Sequence, residues 1–180
     1  MDPVQQDPTL APWRKLGKTL SGSFVARARG LLAAEFAVQG RDGEEIGRMR
    51  IYGPEGAGLE AGDLEVRIER HTPTRYAMLA GGATILSSGP VGAPNTPEIR
   101  CLGRPYQGRL SLLRNTAEAG PVGDEATVRV TGGLTNRNYE AVFDAKSEES
   151  LPVAFFLLYL TVALRRQAYL TAGLGRVDPP

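Results

Sequence analysis

Residues 151–164 read LPVAFFLLYLTVAL, and no polar stripe interrupts them at helical spacing. Phe155, Phe156, Leu157, Leu158, Tyr159 and Leu160 are consecutive, so on a helix they cover every side. A surface helix carries one apolar stripe, whereas a helix that is apolar all round is buried in protein or in a bilayer. The run is shorter than the ~20 residues a membrane span takes. Extending it meets Arg165, Arg166 and Gln167. The expectation is a core helix over about residues 150–170, with a tail anchor as the alternative. Its ends carry helix signals. Ser147 or Ser150 can serve as N-cap, and Pro152 suits the first turn. Glu148 and Glu149 lie at the positive end of the helix dipole, and Arg165 and Arg166 toward the negative end. Gly173 and Gly175 follow an expected stop near Leu170.

Such a helix needs a wall on every side, and the chain offers no second strong helix. It offers strands. LEVRIER (64–70) alternates strictly, with Leu64, Val66 and Ile68 on one face and Glu65, Arg67 and Glu69 on the other. That pattern marks a half-buried strand with one wet face. FVARAR, AEFAV, IGRMRIY, RYAMLA, ATILSS, EIRCL, QGRLSLLR, ATVRV and NYEAVF read as further short strands. Asp42-Gly43 and Gly81-Gly82 carry hairpin turn chemistry, and Gly132-Gly133 turns the chain before the last strand. The segment GPVGAPNTP (89–97) reads as a loop. Nine or ten strands around one helix make the expected fold class mainly β with one helix (α+β), a curled antiparallel β-barrel wrapped around a buried C-terminal apolar helix. Closing the sheet also removes its edges. The expected layout is a loose N-terminal arm over 1–23, one barrel domain over 24–172 and a tail over 173–180.

Composition narrows the function classes. In 180 residues the net charge is +1, which argues against a surface built as a whole for nucleic acid. One cysteine excludes an intramolecular disulfide framework. The opening MDPVQQDPTLAPW has acids and prolines where a signal peptide has basic residues and an apolar run, so a cytoplasmic protein is expected.

Catalytic chemistry finds little to stand on. His71, in ERHTPT, is the single histidine, and no cysteine cluster completes a zinc site around it. It reads as a strand-end residue. Cys101 shares a face with Ile99, two residues away, and that face is the core. A nucleophilic role for Cys101 needs a base, for which His71 is the one candidate, and no third group to orient it is identifiable. GPEGAG (53–58) and the two Gly-Gly pairs read as turns, because none precedes a helix with the ending of a phosphate-binding loop. Glu55, Glu60 and Asp63 are spread through what reads as a loop, without calcium-ligand spacing. Neither a cofactor nor a metal is expected, and no enzymatic activity.

The one binding candidate is PWRKLGKTL. Trp13 beside Arg14, Lys15 and Lys18 is an aromatic and basic mixture suited to a membrane interface or an anionic partner. Arg27 and Arg29 extend the positive charge if their face lies nearby. The alternative is a solvated arm whose tryptophan docks on the barrel. QGRLSLLR, with Arg104 before it, reads as a solvated sheet face.

The order of elements resembles the tubby C-terminal-like superfamily, which includes tubby-like proteins, phospholipid scramblases and LURP-one-related proteins. An early hairpin, FAVQGRDGEEIGRMRIYG, is followed by LEVRIER and RYAML, then by strands ending in NYEAVFDA and by LPVAFFLLYLTVALRR, over about residues 24–172. The resemblance implies a barrel threaded by a C-terminal helix, and binding of anionic lipid head groups at a membrane surface or of a protein partner. It carries no site residue across: the scramblase cysteine cluster and calcium-binding segment have no counterpart here. The expected role is a non-enzymatic binding domain, cytoplasmic and peripheral at the membrane. Competing readings are an oligomer joined through an exposed strand edge, a small enzyme using Cys101, His71 or carboxylates, and a tail-anchored membrane protein.

Overall fold

A computed structural model describes residues 8–30, 34–91 and 95–174. Residues 1–7 of the expected arm, 92–94 of the expected loop and 175–180 of the expected tail, Gly175 included, lie outside them. The chain opens with a 3-10 turn and helix α1 (Ala11–Leu20). Strands β1 (Ser23–Arg29), β2 (Glu35–Gln39), β3 (Glu45–Ile51), β4 (Gly56–Ala61), β5 (Leu64–Thr72) and β6 (Arg75–Ala80) follow. They continue as β7 (Ala83–Ser88), β8 (Glu98–Cys101), β9 (Arg104–Ser111), β10 (Thr116–Pro121), β11 (Val128–Gly132) and β12 (Asn138–Phe143). Helix α2 (Ser150–Leu174) ends the described chain.

The twelve strands form a closed barrel in which each pairs antiparallel with its sequence neighbour. Phe24 opposite Ala141 and Val25 opposite Glu140 join β1 to β12. No sheet edge is therefore free among the described residues, which removes the strand-edge route to an oligomer.

Strict up-and-down order divides the connections between two ends. The turns after β2, β4, β6, β8 and β10 lie at one end, where α2 begins and α1 sits as a plug. The connections after β1, β3, β5, β7, β9 and β11 lie at the other, where α2 leaves the barrel. Along α2, Leu151–Ala163 are buried without interruption. Over that stretch the wall surrounds the helix, so no lipid-facing stripe remains, although Ser150–Ala172 is long and apolar enough to cross a membrane by length and composition. Two of its buried hydroxyls are satisfied by backbone carbonyls. The Tyr159 hydroxyl donates to the Gly53 carbonyl at 3.0 Å, and Thr161 Oγ1 to the Leu157 carbonyl at 2.7 Å.

Several expectations are corrected. Residues 11–20 are a helix, not a loose arm. Gly17 weakens helix propensity by about 1 kcal/mol against alanine, but burial of Trp13, Leu16 and Leu20 on the barrel outweighs it. The glycine cluster 53–58 is half strand: β4 starts at Gly56, whose φ is +147° and whose Cβ, if present, would lie 1.9 Å from the Ile68 carbonyl oxygen. Glu60 is thus on a strand, paired with Arg48, and not in a loop. TAEAGP is β10, unexpected from sequence, and the strand read through Arg114 stops at Ser111. The Ser147 hydroxyl donates to the Glu149 carboxylate at 2.6 Å instead of capping α2. The helix also runs past Leu170 through Gly173, so Arg165 and Arg166 sit where α2 leaves the barrel, not in its last turn.

Candidate functional site

The expected N-terminal cluster does not assemble. Trp13 is 4% exposed, its ring 6.3 Å from that of Phe155, so it fastens the plug and is closed to any interface. Arg14 pairs with Glu148, and Lys15 with Asp63 at 3.3 Å. Lys18 lines a shallow cavity of about 210 Å³ between α1 and the start of α2. Arg27 and Arg29 project from the barrel wall, and Arg29 pairs with Glu35 and Glu45. Lys15 and Lys18 thus sit on the plug, whereas Arg27 and Arg29 lie toward the far end of β1.

The Cys101–His71 pair fails on topology. Cys101 closes β8 at the plug end, and His71 is exposed near the exit end of β5. The thiol is fully buried and donates to the Glu149 carbonyl at 3.7 Å. Burial, with the Glu149 charge adding to it, pushes its pKa far above the ordinary thiol value. A thiol reagent is expected to leave the folded protein unmodified while reacting completely with the urea-unfolded chain. Rapid modification of the folded protein would return Cys101 to the list of nucleophiles. Among the described residues no three His, Cys, Asp or Glu side chains gather as metal ligands.

Positive charge and exposed apolar surface instead converge at the exit end. The Arg165 side chain is buried there, 6% exposed. Its Nη1 donates to the Leu112 carbonyl at 2.7 Å, and its Nη2 to the Leu134 carbonyl at 3.5 Å and the Tyr169 hydroxyl at 2.8 Å. One guanidinium therefore holds the β9–β10 and β11–β12 hairpin tips beside the helix. Asn115 strengthens the tie: its Nδ2 donates to the Gly133 carbonyl at 2.8 Å, and its backbone carbonyl accepts from the Gly132 N–H at 2.7 Å. Gly132 leaves room for this, since a Cβ there would lie 2.0 Å from Asn115 Nδ2. Arg137 Nη2 donates to the Gly30 carbonyl at 2.9 Å and draws in the β1–β2 connection.

This frame presents Leu113 and Leu134 at the two tips, each 98% exposed, beside Tyr169 (59%) and Leu170 (69%) on the emerging helix. Around them Arg114, Arg137, Arg165 and Arg166 pair with no carboxylate among the described residues, whereas several wall arginines are matched in ladders such as Arg48–Glu60, Arg50–Glu35 and Arg129–Glu118. The Arg166 guanidinium turns inward: its Nη2 is buried with no acceptor among the described residues, and burial draws its pKa below the ordinary guanidinium value against the opposing influence of Tyr139. Sequence reading missed this site because each leucine stands alone in a turn. Its one visible signal is the pair Arg165–Arg166 behind the apolar run, which in sequence has the character of a helix end.

No family model matches the chain, and no curated protein does. The X-ray structure of a protein from Arabidopsis thaliana superposes with a TM-score of 0.51 at 12% identity, covering 82% of this chain and 93% of that one. This is a likeness of fold.

Proposed function

We propose that the chain is a tubby-like, non-enzymatic binding domain, cytoplasmic and peripheral, that recognises anionic phospholipid head groups through the exit end of its barrel. The observation that carries this reading is the arginine group around the emerging helix, which pairs with no carboxylate among the described residues and lies beside the exposed Leu113, Leu134 and Tyr169. The inert position of Cys101, far from His71, removes the leading nucleophilic alternative. A basic group near an anionic leaflet contributes about 1 kcal/mol, so Arg114 and Arg137 together supply about 2 kcal/mol, enough to orient the domain on the surface.

Cosedimentation with vesicles tests this. Binding is expected to vesicles containing phosphatidylserine and not to phosphatidylcholine alone, and to weaken as salt is raised. Arg114→Glu, a change of two charge units at an exposed position, is expected to lower affinity about thirtyfold. A variant changed at Lys15 and Lys18, at the opposite end, should bind as the parent does. Equal binding to both vesicle types, or none to either, sinks the lipid reading; in the second case a protein partner becomes the reading to pursue.

A further inference from the structure

We infer that the exit end is a bilayer-insertion surface, with Leu113 and Leu134 entering the interfacial layer beside Tyr169 and Leu170 and the α2 axis standing near the membrane normal. This rests on the head-group reading above and assigns how the surface is engaged.

Three features carry it. Leu113 and Leu134 are almost wholly exposed, yet the hairpins that bear them are held by buried polar contacts, so their exposure belongs to a rigid frame. The two tips are neighbours, because one guanidinium reaches the carbonyls of Leu112 and Leu134. The exposed stretch of α2, Gln167–Ala172, extends about 9 Å at 1.5 Å per residue, matching the ~5–10 Å depth of the interfacial layer. Tyr169 offers the apolar body and polar tip that settle at head-group level. Arg114, exposed beside Leu113, and Arg137 near the Leu134 tip meet phosphates as the leucines enter. A water-soluble anionic partner would use the arginines and leave the leucines wet, so a bilayer is the occupant that uses both.

The test uses the full chain. Cys101 is buried, so a single new thiol labels selectively. An environment-sensitive dye is attached at Leu134→Cys and, as a control at the plug end, at Val122→Cys, a position 60% exposed in the β10–β11 connection. With phosphatidylserine vesicles, the dye at 134 is expected to shift to the blue and to be quenched by brominated acyl chains, and the dye at 122 to stay unchanged. Leu113→Asp with Leu134→Asp is expected to lower vesicle affinity about tenfold or more, with an unchanged melting temperature because both sites are exposed. Vesicle binding with an unshifted dye at 134, or with the double variant bound like the parent, overturns insertion and leaves head-group recognition standing. A response at 122 instead overturns the choice of end. No binding of the unsubstituted protein to any vesicle overturns both readings together.

Discussion

Phe155→Ala is expected to destabilise the fold by about 3–5 kcal/mol, the range for deleting a fully buried aromatic ring. The ring is inaccessible to solvent, stacks on Phe24 of β1 at 4.5 Å between centroids, and meets Trp13 of the plug at 6.3 Å. It therefore joins the central helix, the first strand and α1 in one contact set. Its loss leaves a cavity that a closed wall cannot collapse into, which places the cost toward the upper end. A domain of this size has about 5–15 kcal/mol in total, so the variant loses a large share. Urea unfolding should show a lower midpoint, and protease should reach α1 sooner. Phe155→Leu keeps most of the volume and is expected to cost less than half as much. A loss under about 1 kcal/mol for the alanine variant would contradict the packing described.

Arg165→Met is expected to cost about 2–4 kcal/mol. Methionine keeps the apolar stem but donates nothing, so the carbonyls of Leu112 and Leu134 and the Tyr169 hydroxyl all lose their donor. Hydrogen bonds to a charged group are worth about 1.5–3 kcal/mol each. Removing a buried cation returns part of its desolvation cost, which keeps the net effect below the simple sum. The loss should be local as well as global: hydrogen exchange is expected to quicken at 112–115 and 133–137 before the rest of the barrel. Arg165→Lys keeps the charge without the planar fork that spans two carbonyls, so it should fall between the two. Unchanged exchange at both hairpins in Arg165→Met would remove Arg165 from its role as their tie.

The architecture was legible because Phe155–Leu160 leave a helix no polar side, and because LEVRIER and its companions alternate with the period of a half-buried strand. β4 and β10 were not legible, and for β10 the reason lies in the barrel interior. α2 packs against β10, β11 and β12, where the inward residues include Ala117, Ala119 and Ala141. A helix filling a barrel needs small side chains where it comes closest to the wall. TAEAGP therefore lacks the branched and aromatic residues that mark strands, whereas GAGLEA is glycine-rich because the Ile68 carbonyl approaches Gly56 too closely for a side chain.

The candidate site divides along the same line. Trp13, Leu16 and Leu20 recur at helical spacing, and either a membrane or the barrel could cover such a face. The barrel covers it, since the plug end needs closing over Phe155 and Leu151. By itself the sequence determined that a helix apolar on all sides must be walled in, and that antiparallel strands were the material for the wall. Only the tertiary structure decided which end of that wall is plugged and which is open. It also decided that a guanidinium behind the apolar run would hold Leu113 and Leu134 out in solvent. That outcome depends on contacts between residues 31 and 53 positions apart in the chain, which local periodicity does not encode.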